Sequence, residues 1–461
     1  MKRGELVRGL GLGATSALVV GTIVGTGIFL KTATMAQEVG TPGLVLAAWG
    51  AAGLLSLAGA LSYAELGAML PQAGGEYVYL REAYGNLPAF LFGWMRLAVG
   101  SSGSIASLAA GFAVFLSALI PLETVWMRRS FHFFGQQIDW TLGVRQLVAV
   151  GIIASFSAIN CLRVSLGGRV QAILTAAKVL AIGSIVGGVF FFAPTASWEH
   201  LRTPLGASWK GFASFGAAML SALWAYDGWN NMPMAAGEVA NPGRNIPRAL
   251  VSGMIVVLGI YGWVNLAYFY ALPFEQIASS SSTLHGSALP VAGKAAETFL
   301  PGRGATALAI AVLLSIGGSL NGSILTGARV PFAMARDGLF FSRFGDLNPK
   351  ASVPAAAIAL QALWAAALAL SATFDQLTDC VIFAEMIFYA ATTAAIFVLR
   401  RKMPDAPRPY RTPGYPLTPL VFVFGAIWLV LNTVRTRPIE SAVGLGLILI
   451  GLPVYWSRKR K

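Results

Sequence analysis

The chain reads as an all-α integral membrane protein of 12 transmembrane helices, a single domain (1–461) with discontinuous helices 1 and 6. Three observations predict this. Of 461 residues, 56% are hydrophobic and only 11% are charged, far from the balance of a soluble domain. The apolar residues gather into runs of about 20, the length that crosses a hydrocarbon layer about 30 Å thick. Two of those runs are broken near their middles by glycine and polar residues, Gly21-Thr22-Ile23-Val24-Gly25-Thr26-Gly27-Ile28-Phe29 and Trp224-Ala225-Tyr226-Asp227-Gly228-Trp229-Asn230.

In chain order the spans fall near 10–38, 41–70, 85–120, 142–161, 168–193, 211–237, 246–272, 303–335, 353–372, 379–401, 416–434 and 439–457. Met1-Lys2-Arg3 ahead of the first run resembles a signal peptide, but the run continues past Gly27 without a small-residue cleavage site, so it reads as an uncleaved span. The third and eighth runs exceed the bilayer and must tilt or project beyond it. No soluble domain is evident in the connections 120–141, 194–210, 273–302 and 402–415; Ala288 to Phe299 reads as a short surface helix, and five prolines between Pro404 and Pro416 make the last connection extended. The two broken spans are five apart, the spacing of an inverted 5+5 repeat. On that reading 10–193 is the first repeat, 211–401 the second, and two additional helices cover 416–457.

The formal net charge is +14. No basic face interleaved with aromatics appears, so the cations are not a nucleic-acid surface. They lie between apolar runs, and placing both termini in the cytoplasm puts roughly twice as many Lys and Arg inside as outside, with Arg400-Arg401-Lys402 and Arg458-Lys459-Arg460-Lys461 prominent. Cys161 and Cys380 are the only cysteines, read as two buried, reduced thiols with no disulfide framework or metal cluster.

A helix broken deep in lipid leaves N–H and C=O groups unpaired at several kcal/mol each unless protein, water or ligand satisfies them. A half-helix beginning near Gly27 offers N–H groups and a positive dipole end to a carboxylate, while half-helices ending near Ile23 and Trp224 offer carbonyls to an ammonium. A zwitterion with both charges on one carbon fits, which makes an amino acid the small-molecule partner besides the lipid bilayer. Gly21-x-x-x-Gly25 is also a helix-packing pattern; the matching break in the sixth span favours binding.

Together with the two breaks, Ser62-Tyr63-Ala64-Glu65-Leu66-Gly67 and Pro71-Gln72-Ala73-Gly74-Gly75-Glu76-Tyr77 carry a family resemblance. So do Gly237-Glu238-Val239 with Asn241-Pro242, Gly318-Ser319-Leu320-Asn321-Gly322 and Ala335-Arg336-Asp337-Gly338. The chain resembles the amino acid–polyamine–organocation superfamily, and within it bacterial L-type amino acid transporters similar to serine/threonine exchangers. The resemblance implies a LeuT-like fold and substrate-carboxylate binding by the amides of Gly25, Thr26 and Gly27. It assigns the substrate amine to the carbonyls of Ile23, Trp224 and Ala225, and makes Trp224 a gate. It places Lys178 where sodium-coupled relatives hold an ion, which implies sodium-independent transport; bonds to carbonyls near Gly21 or Thr22 and to the eighth span around Ser315 are expected. A charged amine so far from either end of a span is a functional candidate in its own right.

Asp227 has two readings, an N-cap for the half-helix resuming after it or a substrate contact. Glu385 has three: a substrate side-chain contact, a proton site, or a pair with a neighbouring helix. Asn321 reads as a helix-to-helix bond. Gly9-Leu10-Gly11-Leu12-Gly13 lacks the spacing of a nucleotide loop. His132, His200 and His285 are scattered over outer connections, and no nucleophile, base and orienting group assemble. The reading is therefore no enzyme, no cofactor and no metal. The expected activity is exchange of neutral L-amino acids, small ones such as serine, threonine and alanine, across the bacterial inner membrane by alternating access. A proton-coupled symporter is the alternative within the class, and a channel or membrane sensor the alternative outside it. Mammalian relatives attach a heavy chain through a cysteine between spans three and four; residues 120–141 contain none, so no disulfide-linked heavy chain is expected.

Overall fold

The computed structural model describes residues 8–133, 136–162, 164–202, 211–282, 284–285, 288–349 and 351–459. Met1-Lys2-Arg3 and Arg460-Lys461, which carry part of the charge asymmetry, lie outside the described residues. Among the described residues, ten helical stretches are long and apolar enough to cross a membrane, and Phe212–Tyr226 and Ala355–Ser371 are shorter apolar helices.

The first stretch is two helices, α1 (Leu12–Ile23) and α2 (Gly27–Val39). Gly40 in the left-handed region closes α2, and α3 (Pro42–Met69) starts on the Thr41 side chain, which accepts from the Leu44 amide, with Pro42 in the first turn. A short α4 (Glu76–Tyr84) leads into α5 (Asn86–Met95) and α6 (Ser101–Leu116), joined by a π-helical turn over Arg96–Gly100. Then come α7 (Val144–Leu162), α8 (Val164–Phe192) and α9 (Phe212–Tyr226), and after a four-residue turn the single-turn α10 (Asn231–Met234). The rest is α11 (Pro242–Ala271), α12 (Phe274–Ala278), α13 (Val291–Glu297), α14 (Gly304–Gly327), α15 (Arg329–Arg336), α16 (Ala355–Ser371), α17 (Phe374–Lys402), α18 (Leu417–Thr436), α19 (Pro438–Leu449) and α20 (Gly451–Lys459). Helix α13 falls inside the expected 288–299 segment, and 403–416 is non-helical as its prolines require.

Burial separates inner helices from lipid-facing ones. The α1–α2 stretch is 72% buried over its most apolar window, against 22% for α7 and 28% for α18. The broken helices thus sit at the centre, with α3, α8, α11 and α14 packed around them. A helix apolar all round with no lipid-facing side gains its specificity from small residues and polar bonds, because lipid is as apolar as leucine.

The chain departs from the all-α expectation at 125–143, where strands β1 (Val125–Phe133) and β2 (Gln136–Gly143) pair antiparallel. Expected as loop, this connection alternates in the strand manner over Ile138-Asp139-Trp140-Thr141-Leu142. It is anchored by Trp140, whose indole N–H donates to the Leu370 carbonyl at the end of α16 (2.7 Å). The thiols are also corrected: Cys161 and Cys380 are free but only half-buried; Cys161 lies at the end of the lipid-facing α7, whereas Cys380 sits on the outer side of the largely buried α17 beside a surface cavity.

Candidate substrate site

Both breaks exist and touch. Helix α1 makes its last bond from the Val24 amide to Val20 (3.0 Å), and α2 resumes with the Phe29 and Leu30 amides donating to the Thr26 carbonyl (3.1 and 3.2 Å). Between them the amides of Gly25, Thr26 and Gly27 find no acceptor among the described residues, so three N–H groups point into a cavity with nothing to bond. Glycine is required at Gly27 because a Cβ there would lie 2.5 Å from Ala225 Cα, where α2 crosses α9. Gly228, at φ +109°, would carry a Cβ 2.9 Å from the Thr22 carbonyl oxygen, and the Thr22 hydroxyl donates to the Gly228 carbonyl (2.9 Å). The two unwound segments are stitched to each other.

They enclose a tight cavity of about 20 Å³ lined by Ile23, Gly25, Thr26, Gly27, Trp224, Asp227 and Gly228, with Ser104 and Leu108 from α6, Asn231 from α10 and Ser323 from α14. That is room for about one water, so an amino acid enters only when the walls part. The Trp224 indole N–H donates to the Thr26 hydroxyl (3.2 Å), and its ring meets Phe374 edge-on at 6.1 Å. Beyond this lid Lys31 of α2 bonds Asp375 (2.6 Å) and Thr378 (2.8 Å) of α17. One aromatic and one ion pair therefore close the α2–α9 side.

The carbonyls differ from expectation. Helix α9 runs on to Tyr226, so the Trp224 carbonyl accepts the Asp227 amide (3.3 Å) instead of ending the helix. The Tyr261 hydroxyl lies 2.7 Å from the Ala225 carbonyl and 3.2 Å from that of Ile23. A carbonyl has two lone pairs, so Ile23 and Ala225 keep one each for a ligand, and Tyr261 holds both breaks in register.

Lys178 is fully buried. Its ammonium donates to the carbonyls of Gly21 (2.8 Å) and Val24 (2.6 Å) and to the Ser319 hydroxyl (3.1 Å), which satisfies all three N–H groups. The α14 partner is thus Ser319, one turn beyond the expected Ser315, whose hydroxyl instead donates to the Val24 carbonyl (3.2 Å). A side chain at Gly318 would crowd the lysine Nζ at 3.3 Å.

Asp227 does not cap the resuming helix; α10 begins at Asn231 without a side-chain cap. Asp227 Oδ1 and Glu385 Oε2 each lie 2.7 Å from the Tyr389 hydroxyl. Glu385 Oε1 accepts from Arg96, which also donates to Asn231 (2.9 Å). Of the three readings for Glu385, pairing with a neighbouring helix is what the coordinates display, with Asp227 brought alongside. Asn321 bridges helices, accepting from Asn160 (2.9 Å) and donating to Gln171 (3.1 Å). Sequence reasoning passed over Arg96, Tyr389, Tyr261, Asn231 and Ser104. Only Arg96 left a signal, a cation in the middle of an apolar run, and the π turn that begins there marks the spot structurally.

With this geometry in view, the comparisons decide the family: residues 10–452 match the amino acid permeases. The chain belongs to the amino acid permease family. The permease is 31% identical to the serine/threonine exchanger SteT of Bacillus subtilis, over 99% of this chain and 98% of that one. It is 30% identical to mouse large neutral amino acids transporter small subunit 2, covering 99% and 83% of the two chains. To mouse b(0,+)-type amino acid transporter 1 it is 28% identical, covering 99% and 89%. The superfamily resemblance drawn from short motifs thus extends over nearly the whole permease, a multi-pass membrane protein of amino acid transport.

Two expectations for the permease follow locally. Trp224→Phe keeps the ring but removes the N–H to Thr26, a bond worth about 1 kcal/mol, so KM for the best substrate should rise about fivefold in vesicle uptake. Glu76 lies on α4, outside the membrane-spanning helices. Burial lifts its pKa from the ordinary 4.5 to about 7, although Arg96, Asn230 and Tyr63 favour the anion. The folded chain then holds a proton the unfolded chain releases, so this stabilisation is complete below about 4.5 and is lost as pH rises through about 7. It is worth roughly 3 kcal/mol. Thermal unfolding in detergent should show a fall over that window that Glu76→Gln flattens.

Proposed function

We propose that this permease exchanges small neutral L-amino acids, serine, threonine and alanine among them, across the bacterial cytoplasmic membrane without sodium. It would alternate between outward- and inward-facing states around the pocket at the two breaks, with both termini cytoplasmic and no covalent heavy chain. Twelve spans in two inverted repeats, 10–193 and 211–401, with 416–457 outside them, are the architecture this reading uses. Transport rather than enzymatic turnover is its activity.

The observation that carries the reading is the meeting of free amides at Gly25, Thr26 and Gly27 with a half-free carbonyl at Ile23 on the wall of one small cavity, with that of Ala225 tied to it through Tyr261. An α-amino acid has a carboxylate and an ammonium at that spacing, and no other feature of the ligand is needed to engage backbone groups. The cavity volume and the Leu108 wall favour small side chains. Sodium independence is supported by Lys178, whose ammonium occupies the oxygens of Gly21, Val24 and Ser319 that a cation would need. Exchange is supported by the likeness to the Bacillus relative, a serine/threonine exchanger.

Labelled serine uptake into proteoliposomes tests it, with sodium replaced by choline, with and without internal amino acid, and against a panel of competitors. Uptake should persist in choline, require internal amino acid, and yield best to small neutral competitors. Accumulation into empty vesicles driven by a pH gradient would instead establish proton symport.

A further inference from the structure

The contacts around Tyr389 contain one hydrogen too few. Its hydroxyl oxygen lies 2.7 Å from Asp227 Oδ1 and 2.7 Å from Glu385 Oε2, and a phenol donates a single hydrogen. If both carboxyls were ionised, one short contact would set an anionic oxygen against a lone pair, and two anions would crowd one hydroxyl. Charge leads to the same result. Among the described residues Arg96 is the one cation bonded to the group, while Asp227, Glu385 and, from α4, Glu76 bring three carboxyls to it; Tyr63, Asn230 and Asn231 are further polar neighbours.

We propose that Asp227, Tyr389 and Glu385 form a proton-binding site that holds one shared proton at neutral pH. Because Arg96 bonds Glu385 and not Asp227, the arrangement that fits puts the proton on Asp227, donated to the Tyr389 oxygen. The tyrosine donates its own hydrogen to Glu385 Oε2, and Glu385 stays anionic against Arg96. No bond other than O–H forms or breaks, and the set of Asp227, Glu385 and Arg96 is electrically neutral. Asp227 lines the cavity, so the wall presented to a zwitterion is then a neutral acid rather than a second anion competing with the substrate carboxylate. Loss of the proton turns that wall negative, which makes the occupancy of this site a control on the pocket beside it.

The site is distinct from the Lys178 cage, and its test needs no transport. Infrared spectra of the purified, full-length protein in heavy water should contain a protonated-carboxyl stretching band at neutral pH. Difference spectra against the wild type should show loss of one such band in Asp227→Asn, and equally in Glu385→Gln, because the single Arg96 ionises whichever carboxyl remains. Tyr389→Phe, a smaller change that leaves the fold in place, should retain the band but shift it to higher frequency, the acceptor having gone. A carboxyl substitution that removes no band from the difference spectrum, or no band shift in Tyr389→Phe, overturns the proposal; the band of Glu76, identified by its loss in Glu76→Gln, is common to all these proteins and cancels. The exchange reading fails separately, on vesicle counter-transport, whatever the infrared result.

Discussion

Lys178→Met is expected to lower serine exchange roughly a hundredfold at unchanged expression, and adding sodium should not restore it. The substitution keeps an unbranched chain of similar length in the same space but deletes three charge-assisted bonds, each worth about 1.5–3 kcal/mol. The Gly21 and Val24 carbonyls then lose their charged donor and keep only the hydroxyls of Ser315 and Ser319. These carbonyls belong to the last turn of α1, so their loss misplaces the Gly25–Gly27 amides that follow; about 3 kcal/mol of lost positioning is two orders of magnitude in rate. Initial rates in choline and sodium buffers, with wild type alongside, are the measurement. A Lys178→Met protein exchanging at the wild-type rate would remove the lysine from the mechanism.

The second large effect is on stability. Arg96→Met leaves Glu385 fully buried without its counter-ion, and breaking a buried pair from one side costs about 3–5 kcal/mol. The melting temperature in detergent should drop by several degrees. Adding Glu385→Gln should recover most of that loss, since two neutral residues of similar volume replace an ion pair at little net cost. Equal losses in the single and double variants would show that Arg96 matters for packing alone. The double-mutant cycle also reads how strongly α5 and α17 are tied through this pair.

The membrane class, the helical stretches and the positions of both breaks were legible because each rests on local chemistry. Apolar run length marks a span, and Gly21, Gly25 and Gly27 in one run and Gly228 in another mark where a helix cannot continue. Lys178 stood out for the same reason, a cost visible without knowing its partners. Of the two readings of Asp227, the cap fails because capping is judged from chain neighbours, whereas its partner is Tyr389, 162 positions away. Arg96 gave only its cost, not its purpose. The hairpin at 125–143 was missed because strands short of a sheet give a weak pattern beside long apolar helices.

Taken alone, the order of residues determined that this chain crosses a membrane many times and that two crossings unwind, because hydrophobic length and helix breaking act over a few neighbouring positions. Only the tertiary structure decided what the unwound groups meet: Gly27 against Ala225, Thr22 against Gly228, Lys178 against Gly21 and Val24, Tyr389 between Asp227 and Glu385. Those partners are set by which faces of separate helices come within about 3 Å of one another, a distance that a hydrogen bond demands and that no stretch of sequence encodes by itself.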